Sequence, residues 1–417
     1  MLLKKTSVKS ESPKRHKYSI FIICMLLKFK LNTSASFKAI KKQMLILDIC
    51  VETINETPSN MSIMNWVHKV GYYELTKPKE ISDDWIIIPD HSIQLGQEKL
   101  FVVFGIRESQ INFNRPLQFH DLTPLIISSK KKWTGEIINE YFNNLKRTLG
   151  KIKYAVGDYG SDIKKGLELS GIIHVHDITH KMANIVEKIY KNNPQYQEFT
   201  KKMAEMRIKL GQTLSSHIIP PNQRKKSRYL NIDSISKWAT KALSLIESKR
   251  NQKEDKSVIE NLNWLKEYRG FVEELSMINE TICQIEKIVK HNGISKSSIK
   301  KCNNLCDNLI NSKGEFLRAR LKEYFNTISE KLSNHRNILC TSDIIESAFG
   351  KYKSYLSNNP MACLTNLSLC IAAFTGNLTD NEVKEALEAV KVKDIKKWTE
   401  ENIGTSLLSK RRRALVA

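Results

Sequence analysis

The order of β-rich and helical runs between residues 84 and 182 constrains the fold most strongly. Three β-rich runs come first, followed by a helix, a fourth strand, a second helix and a fifth strand. The predicted strands are Trp85–Ser92, Lys99–Ile106, Leu122–Ser128, Ile152–Gly157 and Ile172–His176, with a hairpin turn at Leu95–Glu98 and helices over Trp133–Leu149 and Asp162–Leu169. This order predicts a mixed β-sheet with helices packed on it.

A long helical region interrupts this core. From Lys181 to about Arg336 the sequence contains no credible strand, and Leu and Ile recur at helical spacing. The last helix that the sheet requires begins only at Ser342, so we interpret the stretch as an insertion. The predicted segments are the first part of the core over 84–182, an all-helical insertion over 183–336, a closing core helix over 337–360, and a helical C-terminal segment over 361–417 with a basic tail at 410–413.

The N-terminal region has the pattern of a helix-turn-helix. Residues 1–17 are polar and basic, which predicts a disordered arm. Helices are expected over Tyr18–Leu31, Ser36–Ile54 and Asn60–Val70, with a Pro-Ser break before the third helix and Gly71 at its end. We therefore predict a DNA-binding domain over residues 18–78. The alternative is an ordinary helical hairpin with a solvated face.

The third of these helices is the candidate DNA-reading helix. Ile63, Trp66, Val67 and Val70 form an apolar stripe along it. Polar residues that face away from the stripe are the predicted contacts with bases or phosphates. They are Asn60, Ser62, Asn65, His68 and Lys69.

Three acidic residues stand at positions suited to a nuclease. Asp90 and Asp158 each close an apolar, strand-like run, and Glu346 lies in the first turns of the helix that begins near Ser342. The first and fourth strands are neighbours in this sheet order, so Asp90 and Asp158 should project side by side. Mg²⁺ takes one or two carboxylates, and a pair of such ions can hold the attacking and leaving oxygens of a phosphodiester exchange.

Together these features resemble the DDE transposases of bacterial insertion-sequence type, which have an RNase H-like core and a helical insertion between the second Asp and the Glu. The motifs that carry the resemblance are Asp158–Gly166, His174–Lys181 and Ser342–Lys353, preceded by Pro58–Gly71. The resemblance implies an α+β multidomain fold. It also implies cleavage at transposon ends in double-stranded DNA, joining of the free 3′-hydroxyl to target DNA, and a homodimer in the synaptic complex.

The resemblance further implies that Asp90, Asp158 and Glu346 are both catalytic residues and ligands of two Mg²⁺ or Mn²⁺ ions. Lys353 lies two helical turns after Glu346 and, with Lys351, is a predicted DNA contact.

Two residues after the fifth predicted strand are possible auxiliary members of the site. Asp177 ends a strand-like run and competes with Asp158, and His180 follows on the next helix. A zinc site formed by His174, His176 and His180 is the alternative use of this segment. His174 and His176 are predicted to lie on a strand and His180 on the next helix. The three side chains therefore point in a common direction only in part, which disfavours a zinc site.

Charge and cysteine usage indicate the partner and the compartment. The formal net charge is +23 over 417 residues, which is typical of proteins that bind nucleic acid. AT-rich coding, which favours Lys, Asn and Ile, is the alternative explanation. The eight scattered cysteines predict free thiols. The apolar run near the N-terminus is too short to cross a bilayer, so we expect a cytoplasmic, nucleoid-associated bacterial protein without membrane contact.

Two other functions fit the same sequence. A domesticated or inactive transposase-derived protein would bind DNA without cutting it. An RNase H-like nuclease would cut without strand transfer. The presence of all three acids favours an active enzyme.

Overall fold

The computed structural model describes residues 11–33, 35–50, 57–93, 98–222, 231–247, 256–333, 336–356 and 364–416. These residues form two compact units. The first, the sheet unit, comprises the described residues within 1–112, 117–175 and 342–417. The second, the helical unit, comprises those within 113–116 and 176–341.

Five strands form one mixed sheet. They are β1 (Ser82–Ile93), β2 (Lys99–Arg107), β3 (Thr123–Lys130), β4 (Gly150–Gly157) and β5 (Ile173–His176). The spatial order is β3-β2-β1-β4-β5, with β1 antiparallel to β2, β2 antiparallel to β3, and β1 parallel to β4. This confirms the predicted α+β fold with a mixed sheet of RNase H-like order. The predicted turn at Leu95–Glu98 lies largely outside the described residues, but the strands on either side pair as far as Ile93 and Lys99.

Helices make up most of the remaining described chain. In order they are α1 (Ile20–Asn32), α2 (Phe37–Cys50), α3 (Asn60–Thr76), α4 (Gly135–Leu149), α5 (Ser161–Leu169), α6 (Ile178–Tyr190), α7 (Pro194–Leu210), α8 (Ile232–Glu247), α9 (Lys256–Leu262), α10 (Arg269–Asn292), α11 (Lys296–Asp307), α12 (Ser312–Lys331), α13 (Asp343–Leu356), α14 (Leu369–Ala373), α15 (Asp380–Ala389), α16 (Val392–Asn402) and α17 (Leu407–Val416). None of them is long and apolar enough to cross a membrane.

One face of the sheet is closed by α4 and α5. The Thr134 side chain caps α4 by accepting a hydrogen bond from the Ile137 backbone N–H. The apolar side chains of α4 and α5 bury against alternate residues of the strands, including Trp85 and Ile87 of β1 and Ala155 of β4. Burial of these side chains fixes which residues of each strand face the helices.

The helical unit has its own core. Helix α10 packs against α6, α8 and α11, and α11 packs against α12. Trp264 contacts Phe199 and Tyr268, with ring centroids 5.6 and 5.7 Å apart. Two thiols predicted to be free, Cys302 and Cys306, are buried and unbridged. The described residues within 176–341 thus form a helical unit, which also contains an isolated antiparallel bridge between Ile294 and Ile338.

Helix α3 occupies the interior of the sheet unit. It packs against α1, α2, α14, α15, α16 and β3. Gly71 does not end this helix, as the sequence suggested; the helix continues to Thr76. The glycine is needed because a Cβ at this position would lie 2.0 Å from the backbone oxygen of Leu369 in α14. It marks a close helix contact and not a helix end.

Replacing Gly71 should therefore destabilise the sheet unit. We expect Gly71→Ala to lower the free energy of unfolding by about 1–3 kcal/mol, because α3 and α14 must move apart. Gly350→Ala is the matched control, since a Cβ there meets nothing within 4 Å. In α13 it should raise the free energy of unfolding by about 0.5–1 kcal/mol. Urea denaturation followed by circular dichroism measures both, and equal effects would refute the packing argument.

Candidate active site

The pairing of β1 with β4 brings Asp90 level with Asp158. Ile87 and Ala155 are partners in the parallel register, and each aspartate comes three residues later. The backbones stay close beyond that pair, because a Cβ on Gly157 would lie 3.4 Å from the Pro89 carbonyl oxygen. Neighbouring strands are about 4.8 Å apart. Asp90 in β1 and Asp158 directly after β4 therefore lie side by side at the same end of these two neighbouring strands.

Asp90 faces away from α4 and α5. The next residue, His91, packs its ring on Phe101 and Trp133, with centroids 4.9 and 5.6 Å away. Trp133 belongs to the core beneath α4 and α5. Because successive side chains of a strand point to opposite faces, Asp90 points to the other face. Asp158 comes directly after β4, which ends at Gly157.

The third acid is carried by a helix that packs on β1. Helix α13 contacts β1 and contributes none of the residues of the core beneath α4 and α5. Glu346 lies in the first turn of α13 and is half-buried. We therefore place α13, the helix of Glu346, on the face of the sheet toward which Asp90 points.

Each aspartate is oriented by the backbone beside it. The His91 N–H donates to Asp90 Oδ1 at 2.6 Å, and the Gly160 N–H donates to Asp158 Oδ1 at 2.9 Å. Both side chains are partly accessible, so they can meet a ligand at the surface of the sheet edge.

The aspartate pair fits a magnesium ion better than the full triad does. Among the described residues, no three His, Cys, Asp or Glu side chains are grouped so that they could hold a metal ion. Mg²⁺ needs only one or two protein carboxylates and completes its octahedron with water and phosphate oxygens. Asp90 and Asp158 satisfy that requirement. Glu346 would have to approach them to complete a second site.

A contact beside the aspartates was not predicted from the sequence. The His91 ring nitrogen Nε2 lies 3.1 Å from Asp162 Oδ2. The contact with His91 lowers the pKa of Asp162 below its ordinary value of 3.8, against the opposing effect of burial. Asp162 is in the first turn of α5, as expected for a helix-start acid. The pair ties the end of β1 to the beginning of α5, next to Asp90 and Asp158.

Asp177 has a capping role. Its carboxylate accepts a hydrogen bond from the His180 backbone N–H at 2.9 Å and caps α6. The side chain is fully buried, whereas Asp158 is partly accessible. The two acids that end β4 and β5 are thus not equivalent, and Asp177 is unsuited to contact a substrate.

The two lysines of α13 differ in their surroundings. Lys351 is half-buried, with Nζ 4.3 Å from the ring centroid of Phe374 and 5.2 Å from that of Phe119. Burial lowers the pKa of Lys351. Lys353 is exposed and lies two turns beyond Glu346. Of the two predicted DNA contacts on this helix, Lys353 is the accessible one.

The predicted outward face of α3 is partly covered. His68 is 1% exposed, which corrects its assignment to the solvent face, and burial lowers its pKa to about 4. Lys69 donates from Nζ to the Leu387 carbonyl at 2.9 Å. His68 and Lys69 are covered because α14, α15 and α16 pack on α3 and bury a second side of the helix. Asn60, Ser62 and Asn65 are half-buried.

Comparison with known proteins gives a structural likeness. No family model and no curated protein matches this chain. Among solved structures, the Drosophila P element transposase strand transfer complex is similar, with a TM-score of 0.43 and 10% sequence identity over 87% of this chain and 92% of that chain. A likeness this distant carries no argument, and the fold assignment depends on the sheet order described above.

The His91–Asp162 contact predicts a pH-dependent contribution to stability. The pKa of Asp162 is lowered in the folded state, so this contribution is present above the ordinary pKa of an aspartate and is lost as pH falls through the lowered value. We expect Asp162→Asn to cost on the order of 1 kcal/mol near pH 6 and to have little effect near pH 3.

Thermal unfolding of wild type and Asp162→Asn across this pH range tests the prediction. In a His91→Phe background, which keeps the aromatic packing, Asp162→Asn should cause little further loss. A loss that is undiminished in that background would show that His91 is not the partner that matters.

Proposed function

We propose that this protein is a transposase of DDE type, which cleaves DNA at transposon ends and transfers the strand in a metal-dependent reaction. One observation supports this most: the parallel pairing of β1 with β4 brings Asp90 level with Asp158, which directly follows β4, and α13, the helix of Glu346, packs on β1. The net charge of +23 is consistent with DNA as the partner.

In this proposal the sheet pre-organises the two aspartates. Asp90 lies within β1 and Asp158 directly follows β4. These strands are hydrogen-bonded neighbours with buried side chains, so the backbones that carry the two carboxylates have little freedom to separate. Asp90 and Asp158 would hold Mg²⁺ or Mn²⁺, with Glu346 as a further ligand. When bound, such ions neutralise charge on the phosphate and activate the attacking oxygen. The exposed ammonium of Lys353 would contact the phosphate of the strand to be cut.

Removing any of the three carboxylates should abolish cleavage. We expect Asp90→Asn, Asp158→Asn and Glu346→Gln each to reduce nicking by at least about 100-fold, since loss of outer-shell partners of a metal site alone costs 10–100-fold. The substrate is a duplex carrying the DNA that flanks the coding region, with Mg²⁺ or Mn²⁺ supplied. DNA binding should be retained in all three variants.

Asp83→Asn is the matched control, because Asp83 is an exposed acid on β1 that lies away from the Asp90 end. It should cleave like wild type. Undiminished cleavage by Asp90→Asn or Asp158→Asn would overturn the assignment of the site. A wild-type protein that binds the duplex but never cuts it would indicate a binding protein.

Strand transfer distinguishes a transposase from a nuclease. Supplied with a pre-cut end that bears a free 3′-hydroxyl, a transposase should join that end to a target plasmid, since the same site can activate either water or a hydroxyl. Joined product measured on a sequencing gel is the expected result. Cleavage without any joined product would favour the nuclease.

A further inference from the structure

A basic pocket lies in the sheet unit, away from the three acids. Its cavity of about 720 Å³ is enclosed by the segment before α1, the first half of α3 and the connection from α15 to α16. We call it the N-terminal basic pocket. Five cationic side chains line it: Lys14, Arg15, Lys17, Lys69 and Lys391. Glu388 is the single acidic residue in this lining.

The walls of the pocket are tied together by specific contacts. Trp66 Nε1 donates to His16 Nδ1 at 3.2 Å, which fixes the N-terminal segment on α3. The Lys14 backbone N–H donates to Glu388 Oε1 at 3.0 Å. The second of these bonds joins parts of the chain 374 residues apart. Residues 11–17, part of the predicted disordered arm, thus form a wall of this pocket.

The cations are presented to solvent. Lys14, Arg15 and Lys391 are exposed, and among the described residues their side chains form no ion pair. Arg15 has φ of 63°, a left-handed conformation that non-glycine residues seldom adopt. Glu388 accepts a hydrogen bond from the backbone of Lys14. An anionic ligand would relieve the mutual repulsion of these clustered cations.

The chemistry of the lining favours phosphate over a nucleobase. Trp66, the large aromatic residue of the pocket, is only 4% exposed, and its indole N–H is already bonded to His16. Tyr18 meets Trp66 edge to face at 5.6 Å. Base recognition by stacking needs an accessible ring face. Charged groups spread over three segments suit successive phosphates along a strand.

We propose that the N-terminal basic pocket binds the phosphate backbone of duplex DNA without reading its sequence. The inference rests on the proposed function for the identity of the polyanion, although it does not require cleavage. In this proposal α3 contributes to DNA binding by holding the N-terminal segment, whose cationic side chains line the pocket. Direct base reading by the outward residues of α3 is not needed.

The salt dependence of DNA binding tests this assignment. The affinity for a short duplex of arbitrary sequence is measured by fluorescence anisotropy at several salt concentrations, with metal chelated. We expect the double variant Arg15→Gln, Lys391→Gln to reduce the slope of log affinity against log salt by about 2, since each lost phosphate contact changes it by roughly 0.9. The matched control is Lys300→Gln, Lys301→Gln, which removes two exposed charges from α11 of the helical unit.

The control should leave the slope unchanged. Equal reductions in both double variants would mean that only the overall charge matters, and no reduction in either would exclude the pocket from DNA binding; both results overturn the proposal. Inorganic phosphate is the second probe. If calorimetry shows saturable phosphate binding that the Arg15/Lys391 variant loses, while the DNA slope is unaltered, the pocket is a small-anion site and the proposal fails.

Failure here can be separated from failure of the proposed function. The salt series is repeated in the Asp90→Asn background, which cannot use the aspartate pair. A full difference in slope between the double variants, together with a wild-type protein that never cleaves DNA, would support the pocket and refute the transposase. Cleavage with no difference in slope would do the reverse.

Discussion

The parallel pairing of β1 with β4 is the constraint on which the candidate site depends. β1 is the central strand, with β2 on one side and β4 on the other. Ile86, Ile87 and Ile88 are all fully buried, so both faces of the strand are covered, and each side chain contributes roughly 1.5–3 kcal/mol. A shift of the register by one residue would turn Asp90 toward the core beneath α4 and α5. The same register sets Asp90 level with Asp158.

The helical unit explains how the third acid can lie so far along the chain. The sheet unit ends its first part after β5 and resumes at α13, and the intervening residues fold around their own core. The entropy cost of closing a loop grows only slowly with its length. An insertion with an independent core therefore leaves the sheet unit intact.

Burial determines which polar residues of the sheet unit are available for function. Lys30 is 2% exposed, with Nζ donating to the Ala35 carbonyl and lying 3.5 Å from the ring centroid of Tyr355; burial lowers its pKa to about 8. His68 is likewise buried on α3, and Lys351 is held against the rings of Phe119 and Phe374. The net positive charge of the chain is thus an unreliable guide to individual DNA contacts. The exposed cations of the N-terminal basic pocket are better candidates.

The sequence by itself determined the strands and their order, because hydrophobic periodicity reports which residues are buried. It also predicted that β1 and β4 are neighbours, which the sheet order confirms. Only the tertiary structure decided that Gly71 lies inside a helix, that His68 is buried and that Asp177 is buried. The first two depend on what packs against a residue from distant segments, namely the carbonyl of Leu369 and the C-terminal helices. The cap by Asp177 is local, but its complete burial is set by the tertiary structure. The His91–Asp162 pair and the N-terminal basic pocket belong to the same class, since their partners are far apart in the chain and no local pattern records the contact.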